Sequence, residues 1–263
     1  MVSMVTQQQS GLTELGRRFA ALAGHTSVAE AAYRALRLAI VTMELPPGSK
    51  LTEQELADSL RISRQPVREA FLRLRDADFV DVRGQRGSFV ARISTAAVRS
   101  AQFVREAVEV AIVTRAAAGL ESYEKDPLQL IIQRQEKAAR DRNPEAFFFL
   151  DEEFHYGLAS AVGCSRAWKI IEDVKGHMDR VRFLSLPDAT PLDRLIDQHQ
   201  SILDAIGNRD PDAAAAAMRT HLCEIVVSLP ALAKQHPSLF ALDDVATGQL
   251  GDRSTWVPGL ARV

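Results

Sequence analysis

Cysteine is nearly absent from this chain: only Cys164 and Cys223 occur in 263 residues. Two thiols exclude the disulfide framework of small secreted folds and suit a reducing compartment. Long apolar runs are also missing. No stretch approaches the roughly 20 residues that a bilayer-spanning helix needs, and the opening MVSMVTQQQSGLTELGRRF lacks the apolar core of a secretory signal. Charge of one sign is missing too. Lys and Arg number 32 against 34 Asp and Glu, a formal net charge of −2, so any nucleic-acid surface has to be local. No internal repeat is discernible. These absences predict a soluble cytoplasmic protein with no membrane partner. What is present is ordinary for a globular chain, 46% hydrophobic and 25% charged, and long enough for one large domain or two of average size.

The pattern divides into four parts. Residues 1–25 carry Gln, Ser and Gly around a weakly amphipathic piece near 12–22 and predict a loosely held N-terminal arm. Residues 26–93 hold a helical run from Val28 to Glu44, stopped by Pro46, Pro47 and Gly48, and then two further helical segments. Thr52-x-x-Glu55 fits a capping box for the first. Ser63 fits an N-cap, with Pro66 tolerated in the first turn, for the second. The next run, FVDVRGQRGSFVARI, shifts to a β-prone pattern around a Gly84–Gly87 tip and predicts a hairpin. Residues 94–236 are helical almost throughout, with six candidates at about 95–122, 126–142, 144–162, 166–186, 191–208 and 211–235. Asn143-Pro144 and Asp210-Pro211 each pair an N-cap with proline at the first helical position. The short connections predict antiparallel neighbours. Residues 237–263 lack periodicity and predict an irregular tail. The fold class is therefore mainly α: a winged helix-turn-helix of three helices plus a β-hairpin wing, then an all-α antiparallel bundle.

In the second helix of the pair, Val67, Ala70, Phe71 and Leu74 recur at helical spacing and form a core face. Arg64, Arg68 and Arg75 occupy another. From Arg61 to Arg92 eight arginines stand against four acids, a local excess of +4. Arginine at the N-terminal end of such a helix reaches guanine edges or phosphates, and Ser63 and Gln65 add hydrogen bonds there. The tip Arg83-Gly84-Gln85-Arg86-Gly87 can approach a duplex closely because its glycines remove bulk. The bland alternative is a solvated helix whose arginines pair with Glu69 and Asp76.

The stretch FFFLDEEFHYGLASAV, residues 147–162, raises the second question. On a helix, Asp151 and His155 fall one turn apart within the apolar arc of Phe148, Phe154, Leu158 and Val162, while Glu152 and Glu153 are expected in solvent. An ionised aspartate facing a core is costly unless paired or bound to a cation. His199 interrupts the stripe of Leu195, Ile196, Ile202 and Leu203, and His221 the stripe of Met218, Leu222 and Ile225. One such histidine reads as a hydrogen-bonded core residue. Three, with an aspartate, on three helices suggest a four-ligand site of the kind helix bundles build, in which imidazole and carboxylate suit Zn, Ni or another first-row divalent ion. His177 is expected at the surface; His25 and His236 carry no signal. Arg105 either pairs with Glu109 one turn on or offers its guanidinium fork to a carboxylate. Arg180 and Arg182 are weaker candidates for that role.

The run LPPGSKLTEQELADSLRISRQPVREAFLRLRDADFVDVRGQRGSFV strongly resembles the winged helix-turn-helix of GntR-type bacterial transcription regulators, through Pro47-Gly48, Leu56-Ala57, Ser63-Arg64, Pro66 to Ala70, Leu74 and Gly87-x-Phe89-Val90. The resemblance implies DNA contact by Arg64 and Arg68 and a wing tip in the minor groove. Two departures stand out: Arg61 replaces a glycine usual in the turn, so it is expected in the left-handed region, and ADFV replaces the common sequence before the wing. Residues 98–232 resemble the FCD effector-binding domain of the FadR-type branch, through Arg105-x3-Glu109, Asp151-x2-Phe154-His155, His199-x6-Ile206 and Ala217-Met218-x2-His221-Leu222. That implies metal binding by Asp151, His155, His199 and His221, a small carboxylate effector held with the metal's help, and, from six helices, the VanR-like subgroup. It also favours effector binding for Arg105. Cys164 stands where an asparagine commonly follows the glycine.

The resulting expectation is a transcription regulator, a repressor by preference, that binds a palindromic operator as a homodimer and responds to a small organic acid at a metal-containing site. The competing reading is a metal-dependent hydrolase. Four protein ligands leave less open coordination than a three-ligand catalytic site, and no general base is evident, so the chain is expected not to be an enzyme.

Overall fold

In the computed structural model, residues 2–186 and 191–241 are described. The N-terminal part holds α1 (Val2–Leu22), α2 (Val28–Val41), β1 (Lys50–Leu51), α3 (Glu53–Leu60), α4 (Arg64–Asp76), β2 (Val80–Val82) and β3 (Ser88–Val90). The second part holds α5 (Thr95–Gly119), α6 (Ser122–Arg140), α7 (Pro144–Ala161), α8 (Ser165–Val174), α9 (Gly176–Ser185), α10 (Leu192–Gly207) and α11 (Pro211–Gln235). The strands form an antiparallel sheet in the order β1-β3-β2, with Asp81 opposite Phe89 and Lys50 also opposite Phe89. The wing is thus a hairpin widened by a two-residue third strand that the sequence pattern did not reveal. Its tip is a 3-10 turn over Gly84–Arg86.

Three of the four expected caps form their side-chain bonds, Ser63 being the exception. The Thr52 hydroxyl accepts the Glu55 amide, Asn143 accepts that of Ala146, and Asp210 that of Ala213. Each such cap stabilises a helix start by about 1 kcal/mol. Arg61 sits at φ 55° and ψ 43°, the left-handed conformation that ends α3 and opens the turn into α4.

Four expectations differ. The N-terminal segment is not loosely held: α1 packs on α2 and α3, burying Leu15 and Phe19, with Arg18 bonded to Glu44 and Glu145. The candidate helix 166–186 is two helices, broken at Lys175–Gly176, so seven helices rather than six follow the wing among the described residues. Asp126-Pro127 does not start a helix; α6 begins at Ser122 and carries Pro127 inside it. Of the tail, residues 237–241 fold back: Phe240 is fully buried, and backbone bonds join Ile93 to Leu239 and Ala241. The rest of the expected irregular tail lies outside the described residues. One further point corrects the sequence reading: α11 is long and apolar enough, by length and composition, to cross a bilayer. Its stripe of Ala214, Met218, Leu222, Ile225 and Leu229 is buried, and it packs against α5 and α10.

The bundle core is what positions the site. Phe147 and Phe154 of α7 are fully buried, each contributing about 1.5–3 kcal/mol of transfer free energy. They fix the rotation of α7, and that rotation turns Asp151 and His155 inward.

Candidate functional site

Two surfaces of the molecule concentrate chemistry. On the first, Val67, Ala70, Phe71 and Leu74 bury one side of α4, which leaves Ser63, Arg64, Gln65 and Arg68 exposed at its N-terminal end. Ser63 occupies the N-cap position without a side-chain cap bond. Arg64 bonds Glu53 at 3.4 Å and Gln65 bonds Glu69 at 3.1 Å, while Arg68 makes no ion pair among the described residues. Arg75 pairs with Asp76, and Arg73 turns back to Glu30 and stacks on Tyr33. In the wing, Arg83, Gly84, Gln85 and Arg86 are exposed. Gly87 has φ 100° and ψ −168°, a conformation only glycine adopts readily. Arg83 lies over Phe89 and pairs with Asp81.

The second surface is internal. Asp151, His155, His199 and His221 are all buried and offer ligand atoms within 4.8 Å of one another. His155 Nε2 lies 3.0 Å from His221 Nε2, and His199 Nε2 lies 3.3 Å from the same atom. Asp151 Oδ1 is 3.3 Å from His199 Nε2, and its Oδ2 is 3.7 Å from His155 Nε2. The opposite nitrogens are engaged elsewhere. His199 Nδ1 donates to Gln135 Oε1 at 2.8 Å and His221 Nδ1 to Gln198 Oε1 at 3.1 Å. His155 Nδ1 stands 2.5 Å from Glu109 Oε2, close but poorly aligned. His199 and His221 thus keep their protons on Nδ1 and turn Nε2 lone pairs to a common point, toward which His155 Nε2 also faces. Facing lone pairs repel unless a cation lies between them. Imidazole binds first-row divalent ions at about 2.0–2.1 Å, which puts neighbouring ligand atoms about 3.0–3.4 Å apart. The residues present fit such an ion.

The electrostatics agree. Burial, and then neighbouring positive groups, hold His199 and His221 well below the usual imidazole range, so both are neutral, the form that ligates metal. Burial alone would raise Glu109, but Arg105 and His155 outweigh it and keep its carboxylate well below the ordinary range. Phe154 stacks on His199 with ring centres 4.3 Å apart, fixing its plane.

Beside this cluster is a cavity of about 40 Å³ lined by Asp151, His221, Arg105, Arg182, Leu195 and Leu222, among others. It has room for little more than one water. Of the alternatives for Arg105, the pair with Glu109 is formed, its Nε donating at 2.6 Å, and its buried Nη2 has no partner among the described residues. Gln102, one turn earlier on α5, is also buried with an unpartnered amide.

Two expectations about charged residues fail. Glu152 is not solvated: it is half-buried and bonds Lys175 and Arg182. His177 is buried rather than exposed, because it accepts the Ser94 amide at 3.0 Å and lies 2.7 Å from Arg180 Nη2. Burial, reinforced by the Arg180 charge, pushes it down to about 3. Arg180 is fully buried against Ala91 O and Gly176 O, away from the cavity, and so is no candidate for a ligand there. Arg182 does line the cavity, bonding Asp151, Glu152 and Asp179. Sequence reasoning missed Gln135, Gln198 and Asp179. Gln135 had a readable signal, a polar residue at helical spacing on the stripe of Leu128, Ile131, Ile132 and Ala138. The other two had none.

A family model described as "Bacterial regulatory proteins, gntR family" matches residues 28–90, and one described as "FCD domain" matches 102–223. The HTH-type transcriptional repressor RspR of Escherichia coli (strain K12) is 38% identical over 209 residues, covering 80% of this chain and 92% of that protein. An HTH-type regulator in an unstable DNA locus of Streptomyces ambofaciens is 39% identical over 211 residues, covering 80% and 89%. Among solved structures, E. coli McbR/YncC aligns with a TM-score of 0.68 at 19% identity, covering 80% of this chain and 99% of that one. A GntR regulator from Rhodococcus sp. RHA1 aligns at 0.64 and 22%, covering 82% and 100%.

Proposed function

The chain belongs to the GntR family of DNA-binding transcriptional regulators, with an FCD domain after its DNA-binding module, and on that premise we propose a repressor whose grip on DNA is set by a small organic acid at a metal site. α4 enters the major groove with Arg64 and Arg68 toward base edges and phosphates, assisted by Ser63 and Gln65. The wing tip, Arg83 to Gly87, follows the backbone into the adjacent minor groove. Two copies bind a palindromic operator, protein symmetry matching DNA symmetry.

Asp151, His155, His199 and His221 would hold a divalent first-row ion, Zn or Ni by donor type. The observation that carries this reading is the convergence of three Nε2 atoms on Asp151, with each Nδ1 turned to Gln135, Gln198 or Glu109. When bound, the ion supplies a Lewis-acidic point for a carboxylate. Arg105 Nη2 supplies a guanidinium donor beside it, which supports its role in binding the effector. The acid regulates only in so far as it binds the DNA-competent and DNA-incompetent arrangements with different affinity. The family and relatives are regulators rather than enzymes, and no hydrolytic role is assigned to the cluster.

The DNA face is tested by letting the full chain select its site from randomised duplexes and then comparing Arg68→Ala on that site. Loss of one base or phosphate contact is expected to weaken binding by about 1–3 kcal/mol, roughly 5–150-fold, with the fold intact by circular dichroism. Undiminished affinity would overturn the assignment of α4.

A further inference from the structure

The short helix α9 carries two sets of contacts at helical spacing. Met178, Arg182 and Ser185 face the ligand cluster. Met178 Sδ lies 3.7 Å from Arg105 Nη1, Arg182 bonds Asp151 and Glu152, and Ser185 lines the cavity. Gly176, His177 and Arg180 face the DNA-binding module and its linker. Gly176 lies against the Phe79 ring, His177 accepts the Ser94 amide, and Arg180 bonds Ala91 O at 2.7 Å. Asp179 lies between the two sets and is almost completely buried. It bonds Arg182 at 3.3 Å and Lys175 at 3.0 Å on the bundle side, and Arg37 of α2 at 3.2 Å on the module side.

We propose that α9 is the transmission helix of this regulator, and that Arg182 and Asp179 are positioning residues that pass the state of the Asp151 site to Arg37 of the DNA-binding module. The proposal rests on the reading of Asp151, His155, His199 and His221 as a ligand site. One guanidinium cannot satisfy every acceptor around it equally. Arg182 divides its donors among Asp151, Glu152 and Asp179, so any change in the charge Asp151 presents shifts that division. Asp179 then shifts between Arg182 and Arg37. Buried ion pairs respond sharply to such changes, because an uncompensated charge in the interior is costly. An acid entering a cavity of about 40 Å³ must also displace a wall, and Arg182 is the wall that reaches both sides. Arg180 and His177, bonded to Ala91 and Ser94, turn movement of α9 into movement of the linker 91–94.

Amide hydrogen exchange on the full chain, with Zn²⁺ alone as the probe, tests this without knowledge of the acid or the operator. In the wild type, Zn²⁺ is expected to slow exchange in α7 and α10 and to change exchange in α2 and the linker 91–94 by at least about fivefold, the lower range of typical coupling. In Arg37→Gln, which leaves Asp179 paired with Lys175 and Arg182, α7 and α10 still respond while α2 changes less than about twofold. Arg182→Gln behaves alike, and Arg182→Lys, which keeps the charge but not the fork, lies between. The proposal is overturned if α2 and the linker respond fully in both Gln variants, or if wild-type α7 is protected with no change in α2. If Zn²⁺ protects nothing in the wild type, the metal reading itself has failed, an outcome distinct from either.

Discussion

Single residues in this protein take their meaning from their partners. His177 was expected at the surface because its local sequence, DVKGHMDR, is polar. Its burial depends on Ser94, more than 80 residues away, which no local pattern reveals. Its protonation gives a test. With its folded-state value down at about 3 and an ordinary value near 6.5 when unfolded, His177 is neutral in both states above pH 6.5 and contributes no pH dependence there. Below that, the unfolded chain takes up a proton that the folded chain does not. Stability should therefore fall with decreasing pH from about 6.5 toward 3, by on the order of 1 kcal/mol per pH unit. His199 and His221, also held neutral, act in the same sense. Denaturant melts from pH 7 to pH 4.5 should show a shallower loss in His177→Gln than in the wild type. Equal slopes would contradict the assignment. By contrast, Asp151, His155, His199 and His221 were legible as a set: one polar residue on an apolar stripe reads as ordinary core, but four on three helices point to one cluster.

At the scale of elements, the helices with strong caps were the most legible. Asn143-Pro144 and Asp210-Pro211 mark α7 and α11 to within a residue, and Arg61 adopts the left-handed conformation expected because it stands where the family's turn usually has glycine. The break between α8 and α9 was not legible, since Gly176 is compatible with a continuous helix and its reason is tertiary. A Cβ there would sit 2.4 Å from Phe79 Cζ, and the Phe79 ring has Arg37 and Arg180 each centred 5.4 Å away, restricting its retreat. Gly176→Ala therefore sets two effects against each other. Helix propensity favours alanine by about 1 kcal/mol, while overpacking costs about 1–3 kcal/mol. The clash with an aromatic ring in a tight contact should prevail. A thermal melt is expected to show a melting temperature lower by a few degrees; an increase would mean that Phe79 yields freely and that the junction is looser than described.

At the scale of the whole molecule, the order of parts was readable because each part has its own period: helical, then alternating around Gly84–Gly87, then helical again. The docking of one part on another was not. The packing of α1 against α3, the return of Phe240 to Ile93, and the ionic path from Asp151 through Arg182 and Asp179 to Arg37 all join residues from distant segments whose local sequences give no sign of a partner. The central claim is that this architecture places a divalent-metal site in the bundle of a DNA-binding regulator. It is tested most directly by metal content. Full-length protein stripped with chelator, reloaded with Zn²⁺ or Ni²⁺ and desalted should retain about one ion per chain, while folded His199→Ala retains almost none. Equal retention by the two proteins, or none by the wild type, would contradict the account.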